Sequence, residues 1–504
     1  NFYVMGNSTV NMPNIGGDID FTKPSFIYGN ATPNVTLTKT GLGDLRLKGT
    51  YLSGTVDYNI NVQAGNLWFD VYGFSSFNGN YTLASGSTLY FNVPASITVP
   101  GTITGNGQVV VRGNSTTFSA ANTYSGGTTV LNNTQVLLGR GTVMSGSTIT
   151  SSPIGTGPVT LGDASGTGKL NTNGYSALPH NIIVNGAATI YTGTLTADQV
   201  ISGTISDGTN TGQGLTIQTV TSGKTTEITG NNTYTGVTTV MGLGTVLTGT
   251  ANALGAGNAG ITLGADGTLK LKGDITVSKP ITVSGTYATL GNLSGNNTLT
   301  GNYTKTTSTS TISSDAGTLN FAPTSGNAID EGTAALTFAG AGNITVNGPV
   351  IGSGGITKSG TGTLTLNGLN TFSGSNTLSA GTLKAGSATA FGTGAIVQTS
   401  GAVLDLNGQV MTSTGALTLS GTGISNGGAL INSNAIGATY AGGLTLGAAT
   451  TITGGTGSIA LSNAGTITGN YGLTLDGAAG GSIASIIGTS TGTLTKLGTG
   501  TWSL

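Results

Sequence analysis

Three short phrases return in the same order along this chain, and that internal repetition restricts the folds open to it. The first, T-K-x-G-x-G-x-[LW]-x-L, occurs at 38–47, 357–366 and 495–504. The second, N-T-[YF]-[ST]-G with a short run after it, occurs at 122–130, 232–240 and 370–378. The third, G-x-G followed by an apolar stretch, occurs at 153–161, 253–263 and 390–399. Repetition on this scale is typical of stacked-repeat architectures. The first copy has about ten extra residues between its second and third phrases, which predicts an inserted loop or short strand.

Each phrase also indicates its local structure. In TLTL at 363–366, leucine and threonine alternate, which is the period-two pattern of a strand with one buried face. Glycine, asparagine and serine interrupt such runs every few residues and supply corners. No long stretch has helical periodicity, so we expect negligible helix. The pattern predicts an all-β chain, a parallel β-helix (β-solenoid) with about 20 to 25 residues per coil. Corner asparagines of successive coils are expected to bond to one another along the axis.

Composition excludes several classes of protein. The 504 residues include 90 glycines, 36% hydrophobic residues and a net charge of only −1, which argues against a highly charged disordered chain. Only three arginines are present, too few for a stripe that neutralises phosphates, so we expect no nucleic-acid partner. The sequence contains no apolar run of about 18 residues, so we expect no transmembrane helix in this segment. Cysteine is absent, which excludes disulfides and thiolate metal sites.

The first 95 residues differ from the rest. Fifteen of the 29 aromatic residues precede residue 92. We therefore divide the chain into an aromatic-rich β region at 1–95 and a repetitive solenoid at 96–504. Large rings are expected to fit poorly inside a narrow coil. The N-terminal region is then either a cap over the open edge of the solenoid or an assembly and contact face. The residues of that face would be Trp68, Phe69, Tyr72, Phe74 and Phe77.

The order TKxGxGTLTL, NTYSGGTTV, a GTL strand and ALGxG resembles the autotransporter-associated β-strand repeat, also called the passenger-associated transport repeat. The resemblance is closest at 357–399 and 495–504. It implies the β-helical passenger region of a large bacterial surface protein, exported through the outer membrane and often adhesive. It implies no catalytic residues. No C-terminal membrane barrel accompanies the repeats here, so the resemblance leaves the secretion route open.

Candidate catalytic groups are few and dispersed. The aspartates are scattered, Glu227 and Glu331 are the only glutamates, and no acid-rich module recurs beside an arginine. His180 is the only histidine, and we expect it to cap a turn or to lie on the surface. Asp18 and Asp20 lack the remaining oxygen ligands of a calcium loop. We therefore predict no enzyme, no cofactor and no metal site.

The repeated N-T-[YF]-[ST]-G phrase contains no acid, base or metal ligand, so we interpret it as architecture. Its asparagine and serine would bond to the backbone, its glycine would make the turn, and the following residues would start a strand. The corner residues predicted in this way are Asn122, Tyr124, Gly126, Asn232, Tyr234, Gly236, Asn370, Phe372 and Gly374.

Two functions from different classes fit these observations. The first is a non-catalytic extracellular β-solenoid of a bacterial cell surface, a rod or spacer that makes multivalent contacts with host, cell-surface or matrix ligands. The alternative is a self-assembling subunit of a filament or envelope layer, whose partner is another copy of itself. A β-helical polysaccharide-degrading enzyme is a third, less favoured hypothesis. The last phrase stops in mid-repeat, so we expect the natural chain to continue and any outer-membrane anchor to lie outside this segment.

Overall fold

The computed structural model describes residues 7–13, 35–56, 59–305, 309–413 and 415–504, with the backbone alone at 49–56 and 73–74. Its contacts divide the chain into two compact units, Asn1–Ala259 and Gly260–Leu504. The described strands of the first unit are β1 Ser8–Asn11, β2 Thr36–Thr40, β3 Asp44–Val56, β4 Asn59–Val62, β5 Asn66–Phe77, β6 Tyr81–Leu83, β7 Thr88–Val93, β8 Ile97–Val99, β9 Ile103–Gly105, β10 Gln108–Gly113, β11 Thr116–Phe118, β12 Thr128–Val130, β13 Thr134–Leu138, β14 Val143–Ser145, β15 Thr148–Ser151, β16 Val159–Leu161, β17 Gly168–Asn171, β18 Ala177–Leu178, β19 Ile182–Val184, β20 Ala188–Tyr191, β21 Gln199–Ile201, β22 Ile205–Asp207, β23 Leu215–Gln218, β24 Thr225–Ile228, β25 Thr238–Met241 and β26 Thr245–Thr248.

The second unit is built in the same way. Its described strands are β27 Ile261–Leu263, β28 Thr268–Leu271, β29 Thr276–Val277, β30 Ile281–Val283, β31 Ala288–Asn292, β32 Asn296–Leu299, β33 Tyr303–Lys305, β34 Ser310–Ser314, β35 Thr318–Phe321, β36 Ile329–Asp330, β37 Leu336–Ala339, β38 Asn343–Val346, β39 Val350–Ile351, β40 Ile356–Lys358, β41 Thr363–Leu366, β42 Asn376–Leu378, β43 Gly381–Ala385, β44 Ile396–Gln398, β45 Ala402–Asp405, β46 Leu417–Gly421, β47 Leu430–Ile431, β48 Ala438–Tyr440, β49 Leu444–Thr453, β50 Ile459–Leu461, β51 Thr466–Ile467, β52 Leu473–Asp476, β53 Gly481–Ile483, β54 Ile486–Ile487, β55 Leu494–Lys496 and β56 Trp502–Ser503. One 3₁₀ turn, Ile424–Asn426, is the only helical segment among the described residues.

Successive turns of each unit pair strand on strand, in parallel. Thr345 of β38 lies beside Thr365 of β41, and Thr311 of β34 lies beside Thr337 of β37. A turn of the coil therefore takes between about 20 and 26 residues, as in a parallel solenoid. The predicted all-β parallel β-solenoid with almost no helix is confirmed.

Alternation along the strands separates the inside of the coil from the outside. In β41, Leu364 and Leu366 are fully buried while Thr363 and Thr365 are half-buried on the outer side. The same leucine column continues in β43 through Leu383. Because parallel pairing places like residues above one another, the interior becomes a stack of aliphatic side chains removed from water.

An antiparallel hairpin interrupts this regularity in the first unit. Strands β14 and β15 pair with each other and lie between two turns of the coil. The stretch of chain from Thr128 to its partner Val159 is for this reason longer than the stretch from Val109 to its partner Thr128. The insertion predicted from the longer spacing in the first repeat copy is thus a β-hairpin.

The parallel pairing runs across residue 95 without a break, since β7 pairs with β10 in one register from Thr88 to Val93. The boundary between 1–95 and 96–504 stays a prediction. The aromatic cluster expected near the N-terminus is present and lies in strands β5 to β11.

Candidate functional site

The corner asparagines join three successive turns of the coil. In the first copy, the Asn122 Oδ1 atom accepts the Ile103 N–H of the preceding turn at 2.7 Å. The Nδ2 group of the same side chain donates to the Pro153 carbonyl of the following turn at 2.5 Å. The side chain is fully buried. One amide thus satisfies a buried backbone donor and a buried backbone acceptor that water does not reach.

The other two copies repeat this geometry. Asn232 accepts from Ile205 N–H at 2.7 Å and donates to the Ala253 carbonyl at 2.6 Å. Asn370 makes the corresponding pair of bonds at 2.8 and 2.7 Å, with Val350 N–H and the Ala390 carbonyl. We call this arrangement the corner clamp.

The clamp asparagines bond to the backbone rather than to one another, which corrects the expected ladder of corner asparagines. An axial amide ladder does exist elsewhere in the second unit. Asn367 Nδ2 donates to Asn347 Oδ1 at 2.7 Å, and Asn347 Nδ2 donates to Asn320 Oδ1 at 2.6 Å. Asn320 lies within β35, and Asn347 and Asn367 directly follow β38 and β41, one per turn. The ladder therefore runs through consecutive turns of the coil, which the three clamps do not occupy.

A buried aromatic ring accompanies each clamp. The Tyr124 hydroxyl lies 2.6 Å from Thr128 Oγ1. The Thr128 hydroxyl in turn donates to the Ile154 carbonyl at 2.9 Å. Tyr234 and Thr238 repeat the arrangement. Burial raises the pKa of both tyrosines above the ordinary value, so they stay neutral hydrogen-bonding groups.

The third clamp replaces both members of this pair. Phe372 has no hydroxyl, and Asn376 donates directly to the Phe391 carbonyl at 2.8 Å. The longer amide thus reaches the carbonyl of the next turn without a hydroxyl relay. Its Oδ1 atom is buried and has no hydrogen-bond partner among the described residues.

The corner glycines are required by close approach. A Cβ atom on Gly236 would lie 1.8 Å from the Gln213 carbonyl oxygen of the preceding turn, and one on Gly126 would lie 2.4 Å from that of Gly107. At Gly374 the corresponding distance, to Gly354, is 2.2 Å. None of Gly126, Gly236 and Gly374 has a positive φ. Glycine is therefore required at these corners by the missing side chain and not by a left-handed backbone.

Sequence reasoning missed the lysine of the T-K-x-G-x-G phrase. Lys39 and Lys358 point into the coil and are almost fully buried. The Lys39 ammonium donates to the carbonyls of Thr40, Gly41 and Ala64, at 3.2, 2.6 and 2.7 Å. Lys358 makes the same three contacts with Ser359, Gly360 and Ala380. The overlooked signal is that this lysine occupies an inward position of the alternating strand, where burial lowers the pKa of Lys358 to about 8.

The five aromatic residues of the predicted contact face separate into two groups. Phe69 and Phe77 lie inside the coil, with ring centroids 4.8 Å apart, and Phe69 also packs on Phe91 at 5.6 Å. The expectation that large rings fit poorly inside the coil is wrong here, because tilted and offset rings from successive turns fill the lumen together. Trp68 and Tyr72 lie outside, and Tyr72 is 54% exposed. The side chain of Phe74 lies outside the described residues.

A stack of flat groups covers the outer side of this region. The Trp68 and Tyr90 rings are parallel, with centroids 3.5 Å apart. The Arg46 guanidinium lies 4.4 Å from the Trp68 centroid on the other side. Arg46 also bridges Asp44 at 3.5 Å and Asp70 at 3.9 Å. Asp44 lies two positions before Arg46 on the same strand, and the coil adds Asp70 from the next turn, which the linear sequence does not reveal.

His180 is buried, so the alternative that it lies on the surface is wrong. Its Nε2 atom lies 3.1 Å from the Gly155 carbonyl of the preceding turn and donates to it. Burial lowers its pKa to about 4, so the ring is neutral at physiological pH. It serves as a further link between turns.

Glu331 is a further ionisable group that the interior accommodates. It is fully buried, and neither carboxylate oxygen has a hydrogen-bond partner among the residues that the structure describes. Burial raises its pKa to about 7, while the Lys305 ammonium lowers it and Asp330 raises it. Across the described ranges, no group of three or more histidines or acids is placed to hold a metal ion. Asp18 and Asp20, which the sequence analysis set aside as calcium ligands, lie outside the described residues.

Comparison with known proteins identifies the repeats. The passenger-associated-transport-repeat family model matches residues 104–133 and 356–385. Both matches contain a corner clamp, the first with Asn122 and Tyr124 and the second with Asn370 and Phe372. No curated protein and no solved structure matches the chain. Within the described part of the chain, no helix is long and apolar enough to cross a membrane. The repeats and the parallel β-solenoid fit the passenger domain of an autotransporter.

Proposed function

We propose that this chain, which carries two passenger-associated transport repeats in a parallel β-solenoid, is a non-catalytic structural and adhesive segment of a bacterial surface protein. It acts outside the cell as a stiff spacer. The polar side chains on its outer surface make many weak contacts with host, cell-surface or matrix ligands.

The corner clamp carries the proposal. Each copy devotes its asparagine, its aromatic ring and its glycine to contacts between turns of the same chain. The clamps link consecutive turns through buried hydrogen bonds, which resist separation better than exposed ones. A repeat whose side chains are used in this way contributes stiffness and leaves recognition to the outward residues.

The aromatic cluster favours a spacer over a self-assembling subunit. A filament subunit is expected to bury its N-terminal rings only against another copy. Phe69, Phe77 and Phe91 are already buried within one chain. The rings therefore stabilise the coil itself, and an apolar patch that would drive end-to-end association does not arise from them.

Electron microscopy and adhesion measurements test the two functions together. The purified chain is imaged over a wide range of concentrations, and beads coated with it are applied to cultured cells and to extracellular matrix. Separate particles of constant size and bead adhesion above that of uncoated beads support the proposal. Filaments or sheets with a fixed repeat would establish the self-assembling alternative, and single particles without adhesion would restrict the role to a spacer.

A further inference from the structure

A shallow groove crosses the second unit on the outer side of six consecutive strands, β35, β38, β41, β43, β45 and β47. Its volume is about 480 Å³, within the range of ligand sites. The groove is lined mainly by hydroxyl and amide side chains. Those that the argument uses are Asn343, Thr345, Thr363, Thr365 and Thr382.

Parallel register sets the spacing of these groups. Thr345 lies beside Thr365, and Thr363 lies beside Thr382. Neighbouring strands are about 4.8 Å apart, so the six strands extend the groove to about 24 Å along the coil axis. The groove therefore offers hydroxyl groups at regular intervals to a ligand that lies along the axis.

The hydroxyls are available for a ligand. Thr345, Thr363, Thr365 and Thr382 are half-buried, and their hydroxyls make no hydrogen bond within the residues that the structure describes. This contrasts with the inward threonines Thr128 and Thr238, whose hydroxyls serve the corner clamps. Each free hydroxyl can both donate and accept a hydrogen bond, as a sugar hydroxyl does.

One end of the groove carries a fixed ion pair. The Lys384 ammonium lies 3.6 Å from Asp405 Oδ2 and donates to Ser433 Oγ at 3.2 Å. The Asp405 side chain is only 4% exposed, and its oxygens accept from Ser433 N–H, Ser433 Oγ and Asn407 N–H. These bonds hold the carboxylate, which in turn positions the ammonium at the mouth of the groove.

We propose that this groove binds an extended neutral polysaccharide, with the chain of sugars lying along the coil axis. The inference rests on the proposed adhesive function and names the class of ligand. A neutral polymer is favoured because Lys384 and Asp405, the charged residues that line the groove, are already paired with each other. No net charge is then left to attract an acidic or a basic polymer. Rows of hydroxyls match the hydroxyls of successive sugar rings, and many weak contacts add up along the chain.

Electrophoresis of the whole chain in native gels that contain polysaccharide tests the proposal. The probes are a soluble β-glucan, a mannan, a galactan and polygalacturonate, each compared with a gel without polymer. The test variant is Thr345→Val with Thr365→Val, which removes two hydroxyls and keeps the shape of the side chains. The control is Thr337→Val with Thr357→Val, an equally half-buried, register-paired threonine pair on the neighbouring face of the same turns.

We expect at least one neutral polymer to retard the wild-type chain, and the T345V/T365V variant to bind it roughly tenfold more weakly. The T337V/T357V control should be retarded like the wild type, and 0.5 M salt should change little. Retardation by no polymer, or an equal loss in both variants, overturns the proposal. If polygalacturonate alone retards the chain, and salt or Lys384→Met abolishes that retardation, the groove selects an acidic polymer. This result would also overturn the proposal.

The adhesion assay separates this inference from the proposed function. If no polymer retards the wild-type chain while wild-type beads still adhere, the inference fails and the function stands. If wild-type beads do not adhere but gel retardation follows the groove variants, the groove binds polysaccharide and the adhesive function fails.

Discussion

The Tyr234 hydroxyl lies 2.6 Å from Thr238 Oγ1, and the threonine passes the hydrogen bond on to the Leu254 carbonyl at 3.0 Å in the next turn of the coil. The pair is a relay between turns, and the third corner shows its substitute in Phe372 and Asn376. Two chemically different pairs thus each supply a hydrogen-bond donor to a carbonyl of the next turn. One pair should therefore be able to replace the other.

Exchanging the pair at the second corner should reveal the coupling. Tyr234→Phe should lower the local free energy of unfolding by about 1 kcal/mol through the lost hydrogen bond. Thr238→Asn alone should cost about 1–3 kcal/mol, because the longer amide meets the tyrosine hydroxyl. The double variant, which copies Phe372 and Asn376, should return to within about 1 kcal/mol of the wild type. Hydrogen exchange of β25 measures each value, and simple addition of the two single effects would refute the coupling.

Loss of a clamp amide should be far more costly than loss of its exposed neighbour. Asn232→Ala leaves the Ile205 N–H and the Ala253 carbonyl buried without partners, so we expect a loss of about 2–4 kcal/mol around β22 and β25. Asn231→Ala, one position earlier and exposed, should cost about 0.5 kcal/mol or less. Hydrogen exchange resolves the local effect, since repeat arrays need not unfold as one unit. Equal effects of the two variants would contradict the clamp.

Glu331 should make the second unit pH-sensitive. Its pKa is raised by burial to about 7 from the ordinary 4.5, so the folded chain keeps this proton to a higher pH than the unfolded chain does. The free energy of unfolding should therefore fall as the pH rises from 4.5 to 7, and level off above it. Glu331→Gln should remove this slope and stabilise the unit by up to about 3 kcal/mol at pH 8, with no gain at pH 4.

Denaturant unfolding across this pH range checks the expectation. Asp315→Asn is the matched control, an exposed carboxylate paired with Lys270, and it should shift stability by about 0.5 kcal/mol or less. A Glu331→Gln variant that keeps the wild-type slope would assign the pH dependence to another group.

The inner and outer aromatic residues near the N-terminus should respond differently to truncation. Phe69→Ala leaves a cavity among Phe77 and Phe91 and should destabilise β5 and β7 by about 3–5 kcal/mol. Tyr72→Ala removes a ring that is 54% exposed and should change stability by about 0.5 kcal/mol or less. Hydrogen exchange of both strands distinguishes the two, and equal protection in both variants would mean that Phe69 does not pack as described.

The alternation of Leu364 and Thr365 was sufficient to predict strands with one buried face, and repetition was sufficient to predict that they stack. The same alternation places Lys358 at an inward position, but its burial was not predicted because a charged side chain is expected to face water. Its burial depends on carbonyls supplied by the next turn, such as that of Ala380. The approach of Asp70 to Arg46 likewise depends on the length of a coil, which short-range patterns do not fix.

The hairpin of β14 and β15 has a practical consequence. It adds residues between two turns, yet β12 and β16 on either side pair in the same parallel register as uninterrupted turns do. The corner between Gly139 and Ser152 is therefore a natural graft site, where a foreign peptide can replace the hairpin and be displayed at a defined height on the scaffold without disturbing its pitch.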